Sequence, residues 1–312
     1  RLRRQASRGF SPALRIRERA IRRRTIFMVQ KYRFVPETGK AALSGSRAGK
    51  TLCPDSMLVF PCPGGYTARR RNGEEGGMEH NIFEAAMHGN IAALERCLQS
   101  GADISAASRE REAWTPLVLA AGNGHLEMVK CILAKGAGVN QTIPRGEYAG
   151  WTGLMRASWG GHPEVARFLI EQGADVNLAN EYGGTALMHA SIEGHPSVVR
   201  LLLANGAVVD AEDNNGLTAM MLAAIAGTEE TVRILLEHGA AVDHRAGSMA
   251  GGGTALMLAA HEKHARIVHI LLDYGADAHV RNAYGLDALT IAQRAGSQTI
   301  IRMLEKAGRR QV

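Results

Sequence analysis

The chain has 312 residues, with 37 Lys and Arg against 30 Asp and Glu for a net charge of +7, but that charge is unevenly divided. Residues 1–77 hold 18 basic and 5 acidic side chains (+13), and residues 78–312 hold the other 19 and 25 (−6), which argues against a uniformly basic nucleic-acid-binding domain. With 46% apolar but only 5% aromatic residues and 36 Gly, the composition favours small, close-packed helices broken at glycine over a β-sandwich, which draws on aromatic and β-branched side chains.

Residues 1–77 read as an Arg-rich leader without a hydrophobic period. Arg22-Arg23-Arg24 and Arg69-Arg70-Arg71 supply charge, while Pro54, Pro61, Pro63 and Gly64-Gly65 resist regular structure, so disorder is expected. Three readings compete: an organellar transit peptide, a nuclear-import or nucleic-acid-binding arm, and translated sequence that the mature protein does not contain. The last two rank equal, above the first. The chain opens on Arg1, and Met78, directly ahead of the first repeat, would be a natural start.

Within the leader, Gly45-Ser-Arg-Ala-Gly49-Lys50-Thr51 resembles a phosphate-cradling loop. It has three residues between its glycines where four are needed to wrap the phosphates, no strand precedes it, and no βαβ unit follows. A Gly/Ser-rich linker is the preferred reading. Cys53 and Cys62 lie nine apart with no His or Cys at ligand spacing and read as unpaired loop thiols rather than a metal site. Cys97 and Cys131 fall inside apolar helical runs and read as reduced core residues of a cytoplasmic or nuclear protein. No uninterrupted apolar run reaches about 18 residues, so no membrane-spanning helix is expected.

Beyond Met78 the sequence repeats. Thr115, Thr152, Thr185, Thr218 and Thr254 recur at intervals of 37, 33, 33 and 36, and a Gly-Ala pair recurs at 101, 136, 173, 206, 239 and 275. One unit is a short helix, a Gly-His turn, a second amphipathic helix, then Gly-Ala and a polar turn. With Trp114-Thr-Pro-Leu117, Gly124-His125-Leu126, Gly161-His162-Pro-Glu-Val165 and Gly173-Ala-Asp-Val-Asn177, the sequence resembles an ankyrin-repeat protein over about residues 79–307, some seven units with degenerate ends.

The resemblance implies an all-α solenoid over residues 78–307 with a short tail at 308–312. The residue types agree with it. Gly101, Gly136, Gly173, Gly206, Gly239 and Gly275 end the second helices, where positive φ closes the last carbonyls. Pro163 and Pro196 open second helices, where a missing N–H does no harm. Val198, Val199, Leu201 and Leu202 supply a buried stripe, and no unit buries its face alone. Residues 78–312 are therefore expected to fold without the leader, with Glu79-His80-Asn81 at one end and Gln293, Arg294 and Gln298 at the other serving as polar caps. Where the family usually places His after Leu, this protein has Val118, Met155, Met188, Met221 and Met257, which predicts apolar stacking in that column.

Catalytic and metal readings find no support in the spacing. His261-Glu262-Lys263-His264 lacks the second His at i+4 that a zinc-protease helix needs, since position 265 is Ala. His125, His162, His195 and His264 share one repeat position and are expected to be hydrogen-bonded turn histidines. Asp175, Asp210, Asp243 and Asp277 follow Gly-Ala in successive units and read as turn formers. No catalytic residue, metal site or cofactor is expected.

Binding remains. In the first helix, core positions lie two, five and six residues after the Thr, so at about 100° per residue position seven faces away from the core and is expected to be exposed. Gly122, Trp159, Ile192, Ile225 and His261 occupy it. The residue before the Thr, on the turn between units, is Trp114, Trp151, Gly184, Leu217 or Gly253. The family resemblance implies that these positions, with those three and four before the Thr, which contribute Tyr148 and Tyr182, line a concave groove for a partner. The competing reading has Trp114 and Trp151 folded over the adjacent turn as local packing.

The turns carry two, four, zero, zero and three extra residues in order along the sequence, and the longest insertion holds Tyr148 beside Trp151. The expected function is a non-catalytic scaffold or adaptor, a monomer, binding a protein partner through Trp114, Tyr148, Trp151, Trp159, Tyr182, Ile192, Leu217 and Ile225. The alternatives are nucleic-acid or anionic-partner binding through residues 1–77 and an ATP-dependent enzyme on the Gly45–Thr51 loop. Asn177, in Asp175-Val176-Asn177 with Leu169 upstream, also looks like the pattern that asparaginyl hydroxylases favour.

Overall fold

The computed structural model describes residues 81–109, 113–247 and 251–308. The expectations for residues 1–77, including the Gly45–Thr51 loop, Cys53 and Cys62, lie outside these. Among the described residues the secondary structure is fourteen helices in seven pairs. The pairs are α1 (Ile82–Met87) with α2 (Ile91–Gln99), α3 (Pro116–Gly122) with α4 (Leu126–Ala134), α5 (Gly153–Trp159) with α6 (Pro163–Glu171), α7 (Ala186–Glu193) with α8 (Pro196–Ala204), α9 (Ala219–Ala226) with α10 (Glu229–Glu237), α11 (Ala255–His261) with α12 (Ala265–Asp273), and α13 (Ala288–Ala295) with α14 (Gln298–Gly308). Two isolated antiparallel bridges, Thr142 to Thr152 and Ala179 to Thr185, mark the hairpin turns.

The repeated Thr starts each first helix. Thr115, Thr152, Thr185, Thr218 and Thr254 stand at the N-cap with extended backbone, and each hydroxyl accepts the amide three residues on, at 3.2–3.4 Å. An N-terminal turn has unpartnered N–H groups, and a short side-chain oxygen satisfies one of them. At the ends Asn81 and Asp287 take over the same role for α1 and α13. The six Gly-Ala glycines all have positive φ, between 82° and 94°, as expected after a second helix.

First helices pack in a row on one another and each on its own second helix. Ala120, Ala121, Ala157, Ala190, Ala223, Ala224, Ala259 and Ala260 are fully buried between them, as are Val198, Val199 and Leu202 from a second helix. Small side chains let the helix axes approach, and each interface buries what one unit would leave wet.

Two ladders of hydrogen bonds join successive units. The Nε2 of His125, His162, His195 and His264 donates to the carbonyls of Met87, Gly122, Trp159 and Ile225, one unit earlier, at 2.9–3.2 Å. Thr228 stands in for His in the remaining unit, its hydroxyl donating to the Ser191 carbonyl. The expected turn histidines are thus inter-repeat struts. On the other turn, side-chain oxygens of Asn140, Asn177, Asp210 and Asp243 accept the amides of Asp175, Val208, Ala241 and Asp277 in the following unit.

This second ladder corrects the reading of the four acids as one class. Asp210 and Asp243 lie four residues after their glycine and reach across to the next unit. Asp175 and Asp277 lie two after theirs and accept their own turn's amides from Asn177 and His279.

Candidate partner-binding face

The aromatic-rich unit is the one led by the longest turn. That turn brings Tyr148 and Trp151 to the start of α5, and α5 itself presents Arg156 and Trp159. Trp114 comes from the preceding unit and His189 from α7, the next first helix.

These side chains form one cluster. Tyr148 lies 4.9 Å from Trp114 and 5.5 Å from Trp151 between ring centroids, and Trp151 lies 5.8 Å edge-on from Trp159. Trp151 also stacks on His189 at 4.0 Å and 27°. Tilted and edge contacts place the positive rim of one ring against the negative face of the next.

Arg156 enters the middle of this cluster. Its guanidinium carbon is 4.4 Å from the Trp159 centroid, 5.3 Å from Trp114, and 5.9 Å from both Tyr148 and Trp151. The residue is 4% exposed, and its Nε and Nη1 find no hydrogen-bond acceptor. Burial lowers its pKa to about 10, with Tyr148 opposing the shift, so the side chain stays charged at neutral pH. Gly122 makes the space: a Cβ there would sit 2.9 Å from the Arg156 Nε.

The flanking groups are set by the same burial. His189 is pushed down to about 3 by burial, with the charge of Arg156 adding, and its Nε2 accepts from the Asn180 Nδ2 at 3.3 Å. Glu193, at the end of α7, is pushed up to about 7 by burial, opposed by the hydrogen bond its carboxylate accepts from the Trp159 side chain. The cluster contains a fixed cation, a neutral imidazole and aromatic faces, which suits recognition of a ligand by shape and charge.

The structure separates the expected groove residues. Trp114, Tyr148, Trp159 and Tyr182 are half-buried, with surface available. Tyr182 sits on the next hairpin, where Asn180 accepts its amide and its carbonyl accepts from Asn214. The expected exposure fails at four positions: Trp151 is 2% exposed, Ile192 6%, Leu217 6% and Ile225 5%. A helical wheel treats each helix alone, whereas α7 and α9 each pack between two other first helices, and there Ile192 and Ile225 are buried. For Trp151 the packing reading holds, since rings close over it on three sides. Among the described residues the exposed large apolar side chains are Val208, Tyr274 and Tyr284, none of which the repeat phase singled out.

Arg156 and His189 escaped the sequence reading. Both lie four residues after the Thr, about 60° round the helix from position seven. The signal was present in that column, where Leu119, Leu222 and Leu258 occupy the other full repeats.

Among the described residues no group of three or more His, Cys, Asp and Glu converges as a metal site, and no helix is long and apolar enough to cross a membrane. Comparison with known proteins agrees with the architecture. The family model for ankyrin repeats matches three times, over residues 82–180, 173–246 and 243–310. The crystal structure of the human ASB11 ankyrin repeat domain is similar at 29% identity, covering 72% of this protein and 96% of that one with a TM-score of 0.63. No curated protein sequence matches. The phase-locked Thr and Gly-Ala positions, the seven helix pairs and the family match over most of the sequence lead to one conclusion: this protein belongs to the ankyrin-repeat family.

Proposed function

We propose that the protein is a scaffold or adaptor, monomeric and cytoplasmic or nuclear, that grips a protein partner on the groove-side face of its second and third units. Ankyrin repeats are generally protein-interaction modules and typically non-catalytic, which supports the coarse reading. The observation that carries the finer one is the ring cluster around Arg156, with Trp114, Tyr148 and Trp159 each keeping surface available. Trp, Tyr and Arg are the side chains most often found as interface anchors, because they combine large apolar area with directed polar contacts. Tyr182 extends this face onto the next turn. Trp151, Ile192, Leu217 and Ile225 support it from beneath rather than touching the partner.

The test is a comparison of the proteins captured by the full-length protein and by Trp159→Ala. A partner held stoichiometrically by the first and lost by the second supports the reading, and identical capture contradicts it. The alternative reading, binding of nucleic acid or another anionic partner through residues 1–77, is motivated by their charge of +13. That binding would weaken steeply with added salt, whereas binding through the aromatic face would not.

A further inference from the structure

Among the described residues no carboxylate pairs with Arg156, and its Nε and Nη1 are buried without an acceptor. An ionised group taken out of water without a partner is costly, and the ring faces offset only part of that cost. A residue with a packing duty alone would be apolar, as Leu119, Leu222 and Leu258 are in the same column. Two features place the buried guanidinium directly beneath the surface. It lies against Gly122, a half-exposed residue with no side chain to cover it. Trp114 and Trp159, on either side, are only half-buried.

We propose that Arg156 anchors a carboxylate of the protein partner, which enters beside Gly122 between Trp114 and Trp159 and accepts hydrogen bonds from the guanidinium. The planar fork of Arg matches a planar carboxylate, and one charge balances one charge. Among the described residues of the cluster no second cation meets the second negative charge that a phosphate dianion would bring, since His189 is neutral and Glu193 is acidic. This inference rests on the groove as the partner site. The carboxylate belongs to an Asp or Glu side chain or to the partner's free C-terminus.

The three tryptophans of the protein all lie in this cluster, so the intrinsic tryptophan emission of the full-length protein reports on it alone. The probes are pools of acetylated pentapeptides lacking Trp and Tyr. One has a central Asp or Glu and an amidated end, a second has Asn or Gln instead, a third has a free C-terminal carboxylate, and a fourth has a central phosphoserine. One of the two carboxylate pools should bind at least about tenfold tighter than the Asn/Gln pool, the worth of one charge-assisted pair, and which one does so identifies the source. Arg156→Met should abolish that preference while leaving the melting temperature unchanged or raised.

Equal binding of acidic and amide pools, or preference for phosphoserine, overturns the proposal. So does a fall in melting temperature for Arg156→Met as large as that for Trp151→Ala, which would make the guanidinium a packing element. Should Arg156→Met still hold the captured partner with full affinity, this inference fails and the partner-binding reading stands.

Discussion

Arg156 stacks on Trp159 at 4.4 Å, and Trp159 in turn hydrogen-bonds Glu193 on the next first helix, so a cation, an indole and an acid link two successive repeats. The indole separates the two charges, which leaves Glu193 to be governed by burial more than by attraction to Arg156.

A pH dependence follows from His189 and Glu193. His189 titrates near 3 in the folded protein and near 6.5 when unfolded. Below pH 6.5 the unfolded state takes a proton that the folded state refuses, so stability falls as pH drops, and His162 and His195, also lowered by burial, act in the same direction. Glu193 is raised to about 7 from 4.5; its contribution is fully present below 4.5 and is lost as pH rises through 7. The two slopes oppose each other between pH 6.5 and 4.5. Glu193→Gln should therefore lose stability more steeply over that window than the native protein, read as the shift in urea midpoint between the two pH values. Equal shifts would show that Glu193 is not protonated in the fold.

Trp151→Ala should be the most damaging change in the cluster, costing about 3–5 kcal/mol because a fully buried indole leaves a cavity ringed by stiff neighbours. Trp114→Ala, at a half-buried site, should cost about half of that or less. Chemical denaturation of both variants checks the order, and a reversal would place Trp151 at the surface.

Much of this was legible in the sequence. The phase of Thr and Gly-Ala located the N-caps and the positive-φ glycines because each residue type answers a local backbone need. The histidine column signalled hydrogen bonding for the same reason. The burial of Ile192 and Ile225 was not legible, because first helices pack side by side, which a wheel angle omits, and that of Leu217, on the turn, carried no periodic signal at all. Arg156 and His189 were hidden in a column where Leu119, Leu222 and Leu258 read as apolar, and the confinement of Arg156 depends on Gly122 one unit earlier.

Lys263 occupies the slot that Gly124, Gly161, Gly194 and Gly227 fill in other units, with φ of 66°. Lys263→Gly should stabilise the protein by roughly 0.5–1 kcal/mol, as relief of left-handed strain outweighs the added unfolded-state freedom. Gly161→Ala should do the opposite, since its Cβ would also meet the His195 ring at 2.5 Å. Thermal midpoints of the two variants should move in opposite directions; a destabilised Lys263→Gly would contradict the strain argument.

Asn177 carries two links of the turn ladder, donating to the Gly206 carbonyl at 3.0 Å and accepting the Val208 amide at 2.9 Å. Asn177→Ala should cost about 1 kcal/mol, the usual net worth of such bonds at an exposed site. The proposal that Asn177 is an asparaginyl hydroxylase substrate predicts a +16 species on its peptide after incubation with the enzyme. Intact mass without that species disposes of it.

The central claim is that the face around Trp159 grips a protein partner. The most direct measurement is the affinity of the captured partner for the full-length protein, for Trp159→Ala, and for His261→Ala, which alters the same repeat position three units further on. Trp159→Ala should weaken binding by more than about tenfold, as loss of a hot-spot aromatic does, while His261→Ala leaves it within about twofold, as expected of a site away from the hot spot. Equal affinities for all three proteins, or a larger loss at His261, would place the partner elsewhere on the solenoid.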